Sequence, residues 1–239
     1  MIIIPARVGS SRFPNKVLAP VMGTPMVVRT AQAVSSLDSV VIATDDESVV
    51  KMANEYGFRA VMTSTSHKSG TDRVFEATTI LNLPDDEIVI NVQADEPFIE
   101  HIVLEKVYEK IYRYRDESTV LASSAYKIIS NPEADDQNIV KVVTDSQDMA
   151  LYFSRAKIPY PRDHHFGDYK GHLGIYGYSV KSLRKFCSFK RSKIESIEKL
   201  EQLRILENGY KIAMTEVKSE SFGIDTPEDL QRAIKRHTL

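Results

Sequence analysis

The chain reads as an α/β protein with a mostly parallel central sheet and a β-rich insertion, on three observations. Short apolar runs alternate with helical stretches through residues 1–115, the rhythm of a parallel sheet covered on both faces. Beyond residue 120 the rhythm changes to strand-like runs with few helices, punctuated by Pro132, Pro159 and Pro161. Over 239 residues the chain is 42% hydrophobic and 27% charged, which suits one large domain, or a domain with a sizeable insertion, around a real core.

Residues 2–4, Ile-Ile-Ile, predict a short buried strand that Pro5 ends, because proline donates nothing to a ladder. Thr24 is placed to cap a helix over 26–34, with Pro25 at its first position. A strand over 39–43 ends in Thr44, Asp45 and Asp46, which suit the start of a helix over 47–56 that Gly57 stops. A strand over 59–63, a polar loop over 64–70 and a helix over 71–81 follow. Asp85 and Asp86 turn the chain into a strand over 87–92, which Gln93-Ala94-Asp95-Glu96-Pro97 closes before a helix over 101–115.

In the second half, strands are expected over 120–128, 139–143, 151–154 and 173–179, then helices over 180–186 and 196–207. Asn208-Gly209 makes a good C-cap for the latter. A strand over 212–217 and a helix over 229–237 finish the chain, where Thr226 and Pro227 repeat the cap-and-proline signal. No repeat, low-complexity tract or flexible linker divides the sequence. One integrated domain is expected, with a first part over 1–118, the insertion over about 119–195 and a completing part over 196–239.

A formal net charge of -2 offers no global field for nucleic acid or an anionic membrane, so positive character has to act locally. Cys187, the single cysteine, excludes an internal disulfide framework and a multi-cysteine metal site. Phe186 and Phe189 flank it, and a buried structural thiol is expected. The scattered histidines make no zinc pattern. The N-terminus lacks a charged segment followed by an apolar one, and no apolar run approaches the ~18 residues that span a bilayer. A cytoplasmic protein is expected.

Ligands of parallel α/β sheets gather at the carboxyl ends of the strands. The loops after the first, second and fourth strands should therefore share one rim. The first carries Arg7, Arg12 and Lys16 at spacings of five and four, with Ser10 and Ser11 between them. Backbone N–H groups of such a turn can nest an anion while the long cations neutralise it. It fails the G-x-x-x-x-G-K-[ST] spacing, and no G-x-G-x-x-G follows the strand, which removes two familiar phosphate sites. A solvated basic loop is the competing reading.

Asp95, at a strand end, suits Mg²⁺, which takes one or two carboxylates with phosphates and water; the alternative is a cap for the next helix. Asp225, in Gly-Ile-Asp-Thr-Pro, is a candidate partner, although Asp-Thr-Pro-Glu is also a good helix start. In His67-Lys-Ser-Gly-Thr-Asp-Arg73, the backbone at Ser69-Gly70 is placed to meet a base or ribose. Helix capping explains Ser69 to Asp72 but not His67 or Arg73. Ser154-Arg155 and His172 to Tyr178 put polar groups in apolar strands, as a pocket floor or as edge-strand residues.

Together these stretches resemble the CMP-Kdo synthetases, the 3-deoxy-manno-octulosonate cytidylyltransferases. The phrases that carry the resemblance are I-I-P-A-R-x-x-S-S-R-F-P-N-K, A-T-D-D, H-x-S-G-T-D-R, V-I-N-V-Q-A-D-E-P, N-I-V-K-V-V, A-L-Y-F-S-R-A-x-I-P, H-L-G-I-Y-G-Y, I-E-K-L-E-Q-L-R-I-L-E-N-G and G-I-D-T-P-E-D-L. They run in the family's order from residue 2 to residue 230. The resemblance implies a single Rossmann-like nucleotidyltransferase domain whose β-rich insertion binds sugar and supports a homodimer. It implies transfer of CMP from CTP to the anomeric hydroxyl of Kdo, an acidic eight-carbon sugar, with release of pyrophosphate. Mg²⁺ is the implied cofactor, lipopolysaccharide inner-core biosynthesis the implied role, and neither nucleic acid nor membrane an implied partner.

Position by position, the resemblance assigns Arg7, Ser10, Arg12 and Lys16 to the triphosphate. Backbone around Pro5 and Ala6, with His67, Ser69, Gly70 and Arg73, frames cytidine. Asp95 and Asp225 bind Mg²⁺ and, with Arg7 and Lys16, form the catalytic set. Gln93, Arg155, Arg162, His172, Tyr176, Glu201 and Gln202 form the sugar site. Tyr160 and Pro161 depart from relatives beside Arg162, and Asn15 stands where glycine is common, a position Asn tolerates in a left-handed conformation. Activation of 8-amino-Kdo or sialic acid, or nucleotide binding without turnover, are the competing functions.

Overall fold

The computed structural model describes all residues except 10–12, 68, 163–166 and 239. The chain divides into two compact units, Met1–His101 with Glu220–Leu239, and Ile102–Ser219.

The first unit opens with β1 (Ile2–Ala6), a single 3₁₀ turn over Lys16–Leu18, and the minimal antiparallel pair β2 (Pro20–Val21) and β3 (Thr24–Pro25). α1 (Met26–Val34), β4 (Val40–Thr44), α2 (Glu47–Glu55), β5 (Arg59–Met62), α3 (Gly70–Ile80) and β6 (Ile88–Asn91) follow. Four of these strands form a parallel sheet in the order β6-β1-β4-β5. The chain therefore steps outward from β1 through β4 to β5, then crosses back to the opposite side of β1. That reversal creates a topological switch point between the carboxyl ends of β1 and β6, where open α/β sheets hold their ligands. Ile2 to Ile4, Val41 to Ala43 and Ile88 to Ile90 are buried without alternation, as a sheet covered on both faces requires.

Pro5 does not end the first strand. The carbonyl of Ile3 accepts from Val92 N–H at 3.2 Å, so Ile3 and, two residues on, Pro5 face β6. The β6 pairing has stopped by then, with Ile3↔Asn91 its last register pair, and the missing N–H of Pro5 forfeits no ladder bond. Thr24 does not cap α1 either: Pro25 holds the cap position without a side-chain bond, and both residues are drawn into β3 by pairing with Pro20 and Val21. Asp46 does cap α2, accepting from Ser48 N–H at 2.8 Å.

α4 (His101–Arg113) leads into the second unit, which continues with β7 (Val120–Ile129), α5 (Asn131–Ala134), β8 (Lys141–Thr144), β9 (Ala150–Ser154) and β10 (Tyr169–Ser179). α6 (Val180–Cys187), α7 (Lys193–Glu198), α8 (Leu203–Glu207) and β11 (Lys211–Glu216) complete it. Here β7 lies between antiparallel β10 and parallel β11, and β8 joins β10 to β9. The unit is larger than the 119–195 insertion expected from sequence. β11 belongs to it because Lys211 to Glu216 pair along β7, and α4 because Ser123 Oγ donates to the Val107 carbonyl at 2.7 Å. Only the last twenty residues return to the first unit, as α9 (Pro227–Thr238) and the segment before it.

The single helix expected over 196–207 is two. A capping box between Ser192 and Glu195 starts α7 earlier, and Lys199 ends it in a left-handed conformation at φ 57°. Arg204 of α8 then reaches back to Glu195 through hydrogen bonds of 2.8 and 2.6 Å. α5 was not expected, although its Ser130-x-x-Glu133 capping box stands in the sequence. Cys187 is half-buried rather than buried.

Candidate active site

The loop after β1 and the loop after β6 meet at the switch point. Lys16 Nζ donates to Asp95 Oδ2 at 2.5 Å and to Asp225 Oδ1 at 3.1 Å, joining three segments remote in sequence. Asn15 precedes Lys16 in the left-handed region (φ 56°), which its short polar side chain tolerates and which turns the chain into the 3₁₀ turn. Thr30 of α1 donates to the Ala94 carbonyl at 3.0 Å and so anchors the loop carrying Asp95. Ile224 N–H donates to the Asp95 carbonyl at 2.9 Å, which fixes the neighbouring Asp225 segment.

Asp95 does not cap the helix after it, and two neighbours of Asp225 already serve the helix that follows. α4 begins only at His101, and the start of α9 is served by Thr226 and Asp229: Thr226 Oγ1 accepts from Asp229 N–H at 3.2 Å, and Asp229 Oδ2 accepts from Thr226 N–H at 3.0 Å. Burial pulls the Lys16 pKa down, but the charges and hydrogen bonds of Asp95 and Asp225 outweigh it, and the net shift is upward. One ammonium is thus shared between two carboxylates. Among the described residues no group of three or more Asp, Glu, His or Cys gathers to hold a metal. Two neighbouring carboxylates are the kind of donor set used by cations that complete their shell with phosphate and water, the habit of Mg²⁺.

The residues expected around cytidine also converge in this unit. A Cβ on Gly70 would stand 3.3 Å from Pro5 Cγ and 3.6 Å from Gln93 Oε1, so the N-terminus of α3 is pressed against the ends of β1 and β6. Ser69 caps that helix, accepting from Asp72 N–H at 3.1 Å. Gln93, expected on the sugar side, lies here, its Nε2 donating to Asn91 Oδ1 at 3.2 Å. Ala6 is buried and Arg7 exposed. Ser10 and Arg12 lie outside the described residues.

Arg73 is not displayed at the rim. It is 2% exposed and donates to Thr63 Oγ1 at 2.5 Å and Asp45 Oδ2 at 2.7 Å. It ties the loops after β4 and β5 to α3, a framework role that its place in a helix's first turn does not reveal. Glu76, one helical turn further on, accepts from Ser64 N–H at 2.7 Å and meets His67 Nε2 at 2.5 Å, holding the loop that carries His67. Sequence reasoning missed Glu76 and Thr30, and it placed Asp45 in a rim loop without its tie to Arg73.

In the second unit, Arg155 is held from several sides. Its N–H donates to Glu198 Oε2, its Nε to the Glu198 carbonyl and its Nη1 to the Gln137 carbonyl, each at 3.0 Å. His172 Nε2 lies 2.9 Å from Ser124 Oγ, with its ring 4.9 Å from Phe153, edge-on, and 5.5 Å from Tyr176. Burial pushes His172 down to about 3, and burial with the nearby Glu201 charge pushes Tyr176 well above 10.0. Both rings are therefore neutral hydrogen-bonding groups at pH 7. Gln202 is buried at the start of α8, whereas Arg162 is exposed beside residues 163–166.

The His172 shift has a consequence for stability. Between pH 6.5 and about 3 the unfolded chain takes a proton that the folded chain refuses, so stability present above pH 6.5 declines as pH falls. The decline attributable to this ring at pH 5 is about 2 kcal/mol. His172→Gln should flatten the urea-midpoint profile between pH 7 and 5; an unchanged slope would assign the acid loss to other groups.

The fold places the chain among doubly wound α/β proteins that bind a ligand across the switch point, here with cations and carboxylates suited to a phosphate-bearing one. Residues 1–212 match the family model described as Cytidylyltransferase, and the chain belongs to that family. It is 57% identical over 235 residues to a 3-deoxy-manno-octulosonate cytidylyltransferase of a Nitratiruptor species, covering 97% of each chain. It is 49% identical to the enzyme of the same name from Wolinella succinogenes, covering 98% of each. A solved structure of CMP:2-keto-3-deoxy-manno-octonic acid synthetase complexed with CTP matches with a TM-score of 0.89 at 37% identity, covering 99% of this chain and 97% of that one.

Proposed function

We propose that the chain activates 3-deoxy-D-manno-octulosonate with CTP, giving CMP-Kdo and pyrophosphate for the lipopolysaccharide inner core. The observation that carries this is the Lys16–Asp95–Asp225 cluster at the switch point of a chain 57% identical to a relative of that name. In the reaction the anomeric hydroxyl oxygen bonds to the α-phosphorus, the bond to the pyrophosphate oxygen breaks, and the hydroxyl proton is released.

Charge is the obstacle, because a sugar acid must approach a triphosphate. Arg7, Arg12 and Lys16, with the Ser10 hydroxyl, neutralise and orient the phosphates, arginine by forked bonds and lysine as a point charge. Asp95 and Asp225 hold Mg²⁺, which when bound supplies Lewis-acid polarisation at the reacting phosphate. Pro5, Ala6, His67, Ser69 and Gly70 frame cytidine, with Arg73 bracing their loops. Arg155 and Arg162 take the sugar carboxylate, while His172, Tyr176, Glu201 and Gln202 meet its hydroxyls. Neutral His172 and Tyr176 add hydrogen bonds there without adding charge. The same reading makes the enzyme a cytoplasmic homodimer.

Pyrophosphate release from CTP and Mg²⁺ is the test, with Kdo, 8-amino-Kdo and sialic acid as acceptors. Release with Kdo that EDTA abolishes and Mg²⁺ restores is expected. Release only with another acid would reassign the sugar, and CTP binding without release from any of them would make the chain a nucleotide binder.

A further inference from the structure

We propose that Lys141 is a positioning residue for the sugar side of the site, holding Arg155 ready for the substrate's carboxylate. This rests on the reading that Arg155 meets that carboxylate, and it adds a residue that touches no substrate itself. Lys141 is 0% exposed. Its Nζ donates to the main-chain carbonyls of Asp136 at 2.8 Å, Ile139 at 2.6 Å and Arg155 at 2.7 Å. An ammonium has three protons and no acceptor, so all three are placed. Burial lowers the pKa of Lys141, yet three acceptors around one nitrogen demand the protonated form.

The bonds close a ring. Lys141 ties the 136–139 segment to the backbone of Arg155, and the Arg155 guanidinium ties back to Gln137 in the same segment. Glu198 holds Arg155 from α7 through its backbone N–H and its Nε. Every acceptor on the guanidinium in this ring is a neutral carbonyl, and among the described residues no carboxylate pairs with it. Its charge is therefore unspent, and two of its five N–H groups are used, which leaves donors for a forked bond to a carboxylate. A buried lysine bonded only to carbonyls adds positive potential at the same place. A carboxylate in Lys141's position would reverse that potential, and an apolar residue would release the segment.

Lys141→Met keeps the length and removes the charge. It should raise KM for Kdo by about tenfold or more, leaving KM for CTP and kcat within about twofold. Calorimetry in the presence of CTP, comparing Kdo with its analogue reduced to a primary alcohol at the carboxyl carbon, separates positioning from mere structure. Wild type should favour the carboxylate strongly, and Lys141→Met should lose most of that preference. An unchanged sugar KM with the preference intact overturns the role of Lys141. Should Lys141→Met not fold, Lys141→Gln, which keeps amide donors for the carbonyls, gives the same comparison. Arg155→Gln is the separate control: if it leaves the sugar KM unchanged, the reading of Arg155 fails, whereas a raised KM there with a silent Lys141 variant sinks only the present inference.

Discussion

Asp95→Asn lowers turnover by at least about 100-fold, equivalent to about 2.7 kcal/mol of transition-state stabilisation. Asn keeps the volume and can still accept from Lys16, so the change removes a charge with little else. Asp225→Asn should behave alike, because the two carboxylates flank the same ammonium at 2.5 and 3.1 Å. In both variants the Mg²⁺ concentration for half-maximal rate should rise, while CTP affinity changes much less than kcat. Near-normal kcat at saturating Mg²⁺ and CTP would remove the carboxylates from the metal site and leave them as partners of Lys16 alone.

The route by which these residues meet was partly legible in the sequence. Alternating apolar strands and helices place the loop of Lys16 and the loop of Asp95 on one rim. Which strand neighbours β1 is not written in that alternation; the crossover that returns β6 to the far side of β1 makes the two loops adjacent. Asp225 lies 209 residues from Lys16, and no local pattern pairs them. Arg73 shows the converse limit. A charged residue in a first helical turn reads as displayed, and its partners Asp45 and Thr63 sit on two other loops, so its burial is a tertiary fact. Asn15 was legible, since a short amide after Phe-Pro tolerates the left-handed turn that occurs there. The division into two units was not, because β11 is assigned by its parallel pairing with β7, more than eighty residues earlier.

The same limit explains the α7–α8 corner, and it sets the largest expected loss of stability. Arg204→Met should cost about 3–5 kcal/mol, the range for removing one partner of a buried ion pair. Glu195 is 3% exposed and takes both Arg204 bonds; without them it retains Ser192 N–H at 3.0 Å and Arg191 Nε at 3.8 Å. The penalty comes chiefly from the stranded carboxylate, so Glu195→Gln added to Arg204→Met should recover part of the loss in urea unfolding. If the single variant loses less than about 1 kcal/mol, the pair does not hold the corner. The functional consequence follows from what the corner carries. Glu198 accepts from Ser154 Oγ at 2.6 Å and from Arg155 N–H, and Glu201 and Gln202 stand in the turn between the helices. A loosened α8 should therefore raise KM for the sugar while KM for CTP stays put, because the residues assigned to cytidine and phosphate lie in the other unit.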